Sequence, residues 1–241
     1  MNLVIDFGNS TQKMALFDDG QQCDFLLQEI ITIEDIVNFV GQHKINKVIL
    51  STVISVEKQL LEYLQTHFDF IVFDSQTPIP LNNKYQSKAT LGSDRLACAV
   101  AAHCLCPQNN VLVLQMGTCI TMDFVSQEGE YIGGSIAPGM QMRFQALHNF
   151  SAQLPKVDYR SLTTFVGTTT EESILSGVIN GISAECNGMI NQYKEKYANL
   201  KIIFTGGDAK LFENSIKNEI FAYSNLVLIG LNQILMYNAE K

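Results

Sequence analysis

Two short stretches of this chain pair an acid with the residue types that phosphate chemistry uses. In the first, the apolar run Leu3-Val4-Ile5 ends at Asp6, and Phe7-Gly8-Asn9-Ser10 then turns the chain. Glycine lets backbone approach a ligand closely. The N–H groups of such a turn suit a phosphate, and the carboxylate beside them can hold Mg²⁺. Thr11, Gln12 and Lys13 lead into a returning run, Met14-Ala15-Leu16-Phe17, and Asp18-Asp19-Gly20 supplies the next turn. In the second stretch, Gly92-Ser93-Asp94-Arg95 opens the strongly helical residues 96–103. Ser93 is expected to cap that helix, placing Asp94 and Arg95 in its first turn. The helix dipole favours an acid there and disfavours a cation. Arg95 therefore reads as a cation kept to hold a carboxylate or phosphate. Taken singly, each stretch is also what an ordinary hairpin or helix start looks like.

The second half of the chain repeats the opening pattern. Residues 111–118 run from an apolar strand through Gln115 to Gly117-Thr118, and residues 120–125, with Thr121, form the returning strand. A third strand carries Gly133-Gly134-Ser135-Ile136-Ala137-Pro138-Gly139. Both halves thus begin with a β-meander whose first turn is polar and contains glycine, a weak internal duplication. A cleft between two such halves would point both turns at one ligand. Gly167-Thr168-Thr169-Thr170 opens the longest helix, where Thr168 with Glu171 and Thr169 with Glu172 both fit a capping box. The same hydroxyls at a positive helix end would suit a polar ligand. Farther along that helix, Gly177 and Gly181 share a face that permits close approach of another helix, such as one from a second subunit. The strand over residues 201–205 runs into Gly206-Gly207-Asp208, an adequate nucleotide cradle.

The elements needed to position these groups follow from hydrophobic period. The first half reads β-β-β-α-β-α-β, a hairpin sheet continuing as a parallel one, which implies an α/β layer architecture. Thr32 is placed as the cap of the first helix and Ser55 as that of the second. Residues 74–91, with Pro78, Pro80 and Asn82-Asn83, form an irregular connector long enough to be functional. His103 is read as a core or interface histidine, and the run 226–231 as leading into a terminal helix over residues 232–237. A boundary at residues 106–110 gives domains 1–107 and 108–241.

Composition narrows the classes. At 241 residues, 46% hydrophobic and 17% charged, the chain suits a soluble globular enzyme. A net charge of −8 argues against nucleic acid as a partner. The six cysteines form no CxxC pair and lie mostly in apolar runs, so they are expected as reduced core residues of a cytoplasmic protein. Neither a signal peptide nor a membrane-spanning stretch is expected.

Taken in order, these pieces resemble the type III pantothenate kinases over nearly the whole chain. The carriers are residues 6–10 with Lys13, Gly92-Ser93-Asp94-Arg95, Gly117-Thr118 before Thr121, residues 133–139, Leu154-Pro155, residues 167–170 and residues 205–208. The resemblance implies two related ribonuclease H-like, actin-like ATPase domains around a central cleft. It implies ATP-dependent phosphorylation of pantothenate, Mg²⁺, a monovalent cation such as K⁺ or NH₄⁺, and a homodimer. By the same likeness Asp6, Phe7, Gly8, Asn9, Ser10, Thr11, Gln12, Lys13 and Thr118 bind ATP, with Asp6 holding Mg²⁺ through water. Asp94 is the proton acceptor, and Tyr85, Gly92, Ser93, Asp94, Arg95 and Thr170 meet pantothenate. The chain departs from the family pattern at Gln115, where an Asp usually helps hold the monovalent cation, and at Lys88, where proline is common. The alternative is a non-catalytic relative acting as an accessory factor, a drift that the missing acid at 115 would mark.

Overall fold

Side-chain alternation along the first strands, which are buried on both faces, decides which way Asp6 points. The computed structural model describes residues 1–160 and 165–239. Strand β1 (Asn2–Phe7) pairs antiparallel with β2 (Gln12–Asp18) and parallel with β4 (Lys47–Thr52). Leu3, Ile5 and Phe7, with Met14, Leu16, Val48 and Leu50, enter one buried cluster. Alternation therefore sends Val4, Asp6, Lys13, Ile49 and Ser51 to the opposite face. With β3 (Gln21–Gln28) and β5 (Phe70–Val72), the sheet order is β3-β2-β1-β4-β5, the hairpin-plus-parallel sheet that the sequence predicts.

Helices α1 (Ile33–Val40) and α2 (Lys58–His67) cover the first face with Ile36, Leu60 and Leu64. Thr32 caps α1 in a reciprocal box with Asp35, as expected. Ser55 does not cap α2; its N-cap is Glu57, which makes no side-chain capping bond. The turn after β4 is instead held by Thr52, whose hydroxyl bonds to both Ile54 N–H and Ile54 C=O, and the helix starts later.

The opposite face is covered by α3 (Ser93–Leu105) and α7 (Leu226–Ala239). The run 226–231 lies inside α7 rather than leading into it. Leu226, Leu228, Leu231, Ile234 and Leu235 are all buried, as befits a helix that is apolar all round. Gly230 allows its contact with α3, because a Cβ there would sit 1.9 Å from the Ala97 carbonyl oxygen. The cap of α3 is Gly92, not Ser93, whose hydroxyl is engaged elsewhere. His103 packs its half-buried ring on Gly129. The connector 74–91 carries only β6 (Asn82–Asn83), paired parallel with Glu130 and Tyr131, and a single 3₁₀ turn over Lys88–Thr90.

The chain divides into two units. The first comprises Met1–Gln108, Val125–Gly133 and Asn225–Lys241, and the second Asn109–Phe124 and Gly134–Ser224. In the second, β7 (Asn110–Met116), β8 (Cys119–Val125) and β9 (Glu130–Pro138), which belongs to this unit from Gly134 on, form the expected meander, joined by β10 (Leu200–Thr205) and β11 (Phe221–Ala222) in the order β11-β10-β7-β8-β9. Leu112, Leu114, Met116, Ile120, Met122 and Phe124 pack against α4 (Met140–Asn149), α5 (Thr170–Lys196) and α6 (Ala209–Phe212). Of the two capping boxes possible for α5, Thr169 with Glu172 forms; Glu171 is taken by an ion pair with Arg160 at 2.7 Å.

The cysteines correct one expectation. Only Cys98 and Cys186 are buried, while Cys23 and Cys104 are exposed and Cys106 and Cys119 intermediate; all six are free thiols. A thiol in an apolar run still lands on the surface when the run ends at a helix terminus or an edge strand. Among the described residues no helix is long and apolar enough to cross a membrane.

Candidate active site

Three strands of the first unit lay Asp6, Lys13 and Ser51 side by side. Asp6 faces Lys13 across the antiparallel ladder and Ser51 across the parallel one, all on the face toward α3. Asp6 is only 7% exposed. Burial pushes its carboxyl from the ordinary 3.8 up to about 6. The Lys13 cation opposes that rise, the negative charge of Asp94 adds to it, and a hydrogen bond from Ser51 opposes it. Two acids distant in sequence thus share one electrostatic neighbourhood.

The start of α3 builds the other half of this site. A Cβ on Gly92 would meet Asp94 Oδ1 at 2.6 Å, so the carboxylate occupies the space a larger cap would take. Ser93 Oγ lies 3.0 Å from Ser51 Oγ. Arg95 is buried, with its guanidinium carbon 5.6 Å from the centroid of the Tyr85 ring. Tyr85 in turn lies on Gly133, whose φ of +120° and missing Cβ, 3.0 Å from Tyr85 Cδ2, both call for glycine. The Tyr85 N–H donates to Asn83 Oδ1 at 2.9 Å, which fixes this point of the connector. The structure therefore brings Asp6, Lys13, Ser93, Asp94, Arg95 and Tyr85 into one region of one unit. A cavity of about 340 Å³ adjoins it, lined by Thr52, Phe73, Asn83, Lys88, Gly92 and Ser93 among others.

The turn after β1 is closed by Gly8 N–H donating to Thr11 C=O at 3.1 Å, with Asn9 and Ser10 exposed. Phe7 lies in the core, so only its backbone is available to a ligand. Buried Gln12 uses its side-chain oxygen to accept the Ile31 N–H at 2.6 Å, a scaffold bond.

In the second unit, Thr118 is exposed in the turn between β7 and β8, and Gly139 donates its N–H to Thr118 C=O at 3.1 Å. A Cβ on Gly139 would be 2.1 Å from Gly117 O, and one on Gly206, at φ +99°, 2.2 Å from Met116 O. Three glycine-bearing segments thus converge on one strand end. Gln115 pairs with Thr205 across the ladder, on the side away from the core. Thr121 faces the same way, its buried hydroxyl without a hydrogen-bond partner among the described residues. Thr170 is the exposed first residue of α5, whereas the Thr168 and Thr169 hydroxyls serve the cap at Glu172.

Sequence reasoning overlooked Ser51. The available signal was a hydroxyl at the alternation position of a strand that runs parallel to the Asp6 strand.

The fold is that of the actin-like ATPases and sugar kinases. A conserved Campylobacter jejuni protein assigned to the Baf family of transcriptional activators matches with a TM-score of 0.59 at 24% identity, over 99% of this chain and 100% of that one. The activator of 2-hydroxyisocaproyl-CoA dehydratase from Clostridium difficile, solved with bound ADPNP, matches with a TM-score of 0.52 at 11% identity, over 100% of this chain and 97% of that one. The model of the type III pantothenate kinase family matches residues 2–192. A type III pantothenate kinase from Christiangramia forsetii is 42% identical over 99% of both chains. This chain belongs to the type III pantothenate kinase family.

Proposed function

We propose that this chain transfers the γ-phosphoryl group of ATP to the primary hydroxyl of pantothenate, yielding ADP and 4′-phosphopantothenate, the entry step of coenzyme A synthesis. The observation that carries the reading is the electrostatic coupling of buried Asp6 to Asp94 beside a cavity of small-molecule size. Phosphoryl transfer depends on positioning and charge neutralisation more than on covalent chemistry. Asp94 accepts the hydroxyl proton as the oxygen attacks the γ-phosphorus, and the bond to the β–γ bridging oxygen breaks to release ADP. Arg95, whose guanidinium lies over the Tyr85 ring, offers a planar fork to the pantothenate carboxylate. Gly92 and Ser93 shape the acceptor pocket, and Thr170 is assigned to the same substrate. The turn residues 6–13 and Thr118 bind the nucleotide. The acid pair favours an enzyme over a non-catalytic accessory factor, which would have no use for two acids that feel each other's charge.

The donor set fits Mg²⁺. Asp6 is a hard oxygen ligand whose buried charge lies near a second carboxylate, and no cluster of three or more metal-ligating side chains occurs among the described residues. An ion there would take its other ligands from water and phosphate, as Mg²⁺ does. When bound it would neutralise phosphate charge. Gln115, paired with Thr205 across the ladder, offers a monovalent cation an oxygen but not the charge of the acid usual in the family, and K⁺ dependence should be weak. We assign a homodimer and a cytoplasmic location. The dimer is supported by exposed apolar side chains in the second unit, Met142, Leu147, Phe150, Phe165 and Val166, and by the open face of α5 at Gly177 and Gly181.

Incubation of purified protein with Mg·ATP and pantothenate tests the reading: ADP and 4′-phosphopantothenate should appear in equal amounts. Pantothenate-independent ADP release, or none, refutes it. Sedimentation that finds only a monomer refutes the dimer.

A further inference from the structure

We infer that Ser51 and Ser93 form a positioning pair that holds Asp6 for metal–nucleotide binding, with Ser93 acting through Ser51. The inference rests on the reading of Asp6 as the metal–nucleotide carboxylate and goes beyond it by naming what aims that carboxylate.

Ser51 is fully buried at the end of β4. It stands beside Asp6 one strand over on the same sheet face, where its hydroxyl lowers the Asp6 pKa, and its Oγ lies 3.0 Å from Ser93 Oγ. A hydroxyl has one proton to give. An ionised Asp6 can only accept, so Ser51 spends its proton there. The bond between the serines must then be donated by Ser93. The result is a directed chain, Ser93 O–H to Ser51 Oγ and Ser51 O–H to the Asp6 carboxylate. Bonds in such a chain polarise one another in a dry setting.

Ser93 begins α3 and does no capping, because Gly92 holds the cap position and makes no side-chain bond. The next residue is Asp94. The chain therefore fastens the acid on strand β1 to the helix that carries the other acid, against the repulsion between them. Neither serine titrates in this range, and Ser51 is too deep to meet a substrate. Ser93 also lines the adjoining cavity, so direct contact with the acceptor is the competing account.

A mutant cycle separates the two. Mg·ADP affinity is measured by calorimetry for the wild type, Ser51→Ala, Ser93→Ala and the double variant, with kcat, the KM for pantothenate and the unfolding midpoint alongside. Each single change should weaken Mg·ADP about ten-fold, the scale of one hydrogen bond to a charged group. The double variant should be no worse than Ser51→Ala. The KM for pantothenate should stay within about two-fold in Ser51→Ala, because Ser51 is fully buried and acts at a distance from the acceptor. Ser93→Thr, which keeps the hydroxyl, should bind Mg·ADP like the wild type, and it carries the test if an alanine variant fails to fold. Unchanged Mg·ADP affinity overturns the proposal, as do additive losses, or a raised pantothenate KM with Mg·ADP binding intact. If Asp6→Asn leaves Mg·ADP binding untouched, the reading of Asp6 itself fails. If Asp6→Asn loses binding while the serine variants do not, only the pairing fails.

Discussion

A side chain on Gly92 would begin 2.6 Å from Oδ1 of Asp94. The backbone at Gly92, with φ −58° and ψ 130°, is one that any residue can adopt. Space, not torsion, demands glycine here. Gly92→Ala should therefore displace the Asp94 carboxylate and leave the helix in place. We expect kcat to fall about 10- to 100-fold, the usual cost of misplacing a reacting group by a fraction of an ångström to an ångström. The unfolding midpoint should move by only a few degrees; a coupled assay for ADP and a thermal melt check both.

Asp94→Asn keeps the shape of that corner and removes the proton acceptor. Turnover should fall by about 10² to 10⁴, the range for a general base. Mg·ADP affinity should hold within about three-fold, because the nucleotide does not depend on that proton transfer. Unchanged turnover would remove Asp94 from its role.

The raised pKa of Asp6 ties function and stability to pH with opposite signs. Its folded-state value of about 6 lies above the ordinary 3.8, so the folded protein holds this proton more tightly than the unfolded chain does. Asp6 thus favours folding below about pH 4, and that contribution is lost as pH rises through about 6, for a difference of about 3 kcal/mol. Asp6→Asn should raise stability at pH 8 by up to that amount and change it little at pH 4, as read from urea melts. Mg·ATP binding to the wild type should weaken as pH drops below about 6, where the proton competes with the metal. Asp6→Asn should bind Mg·ATP poorly at every pH.

Arg95 is buried against the Tyr85 ring, and a lysine offers neither the plane nor the fork. Arg95→Lys should raise the KM for pantothenate about ten-fold with a smaller effect on ATP, and Tyr85→Ala should follow it part of the way while Tyr85→Phe should not. Steady-state kinetics with each substrate varied will distinguish these patterns.

Gln115 places a neutral amide opposite Thr205 across the ladder. Exchange of K⁺ for Na⁺ should change turnover by less than about two-fold, since the side chain at 115 carries no charge to hold the ion. Gln115→Asp should make turnover rise with added K⁺. A steep K⁺ requirement in the unaltered protein would count against this assignment.

Much of the scaffold was legible in the sequence because its causes are local. The apolar run Leu3-Val4-Ile5, the cap at Thr32 and the helical period after Asp94 depend on neighbours a few residues away. Those features place Asp6 at a strand end and Asp94 in a first helical turn. What the linear order did not contain is which side chains meet once the elements pack. The Ser51–Ser93 bond spans 42 residues, the apolar run at 226–231 becomes helix because α3 and the first sheet bury it on all sides, and Gly92 rather than Ser93 holds the cap because Ser93 has a partner on β4. The types and order of the chemical groups were thus determined by sequence alone. Their spacing, burial and charge state were decided by tertiary packing, because desolvation and hydrogen-bond partners exist only after strand and helix have come together.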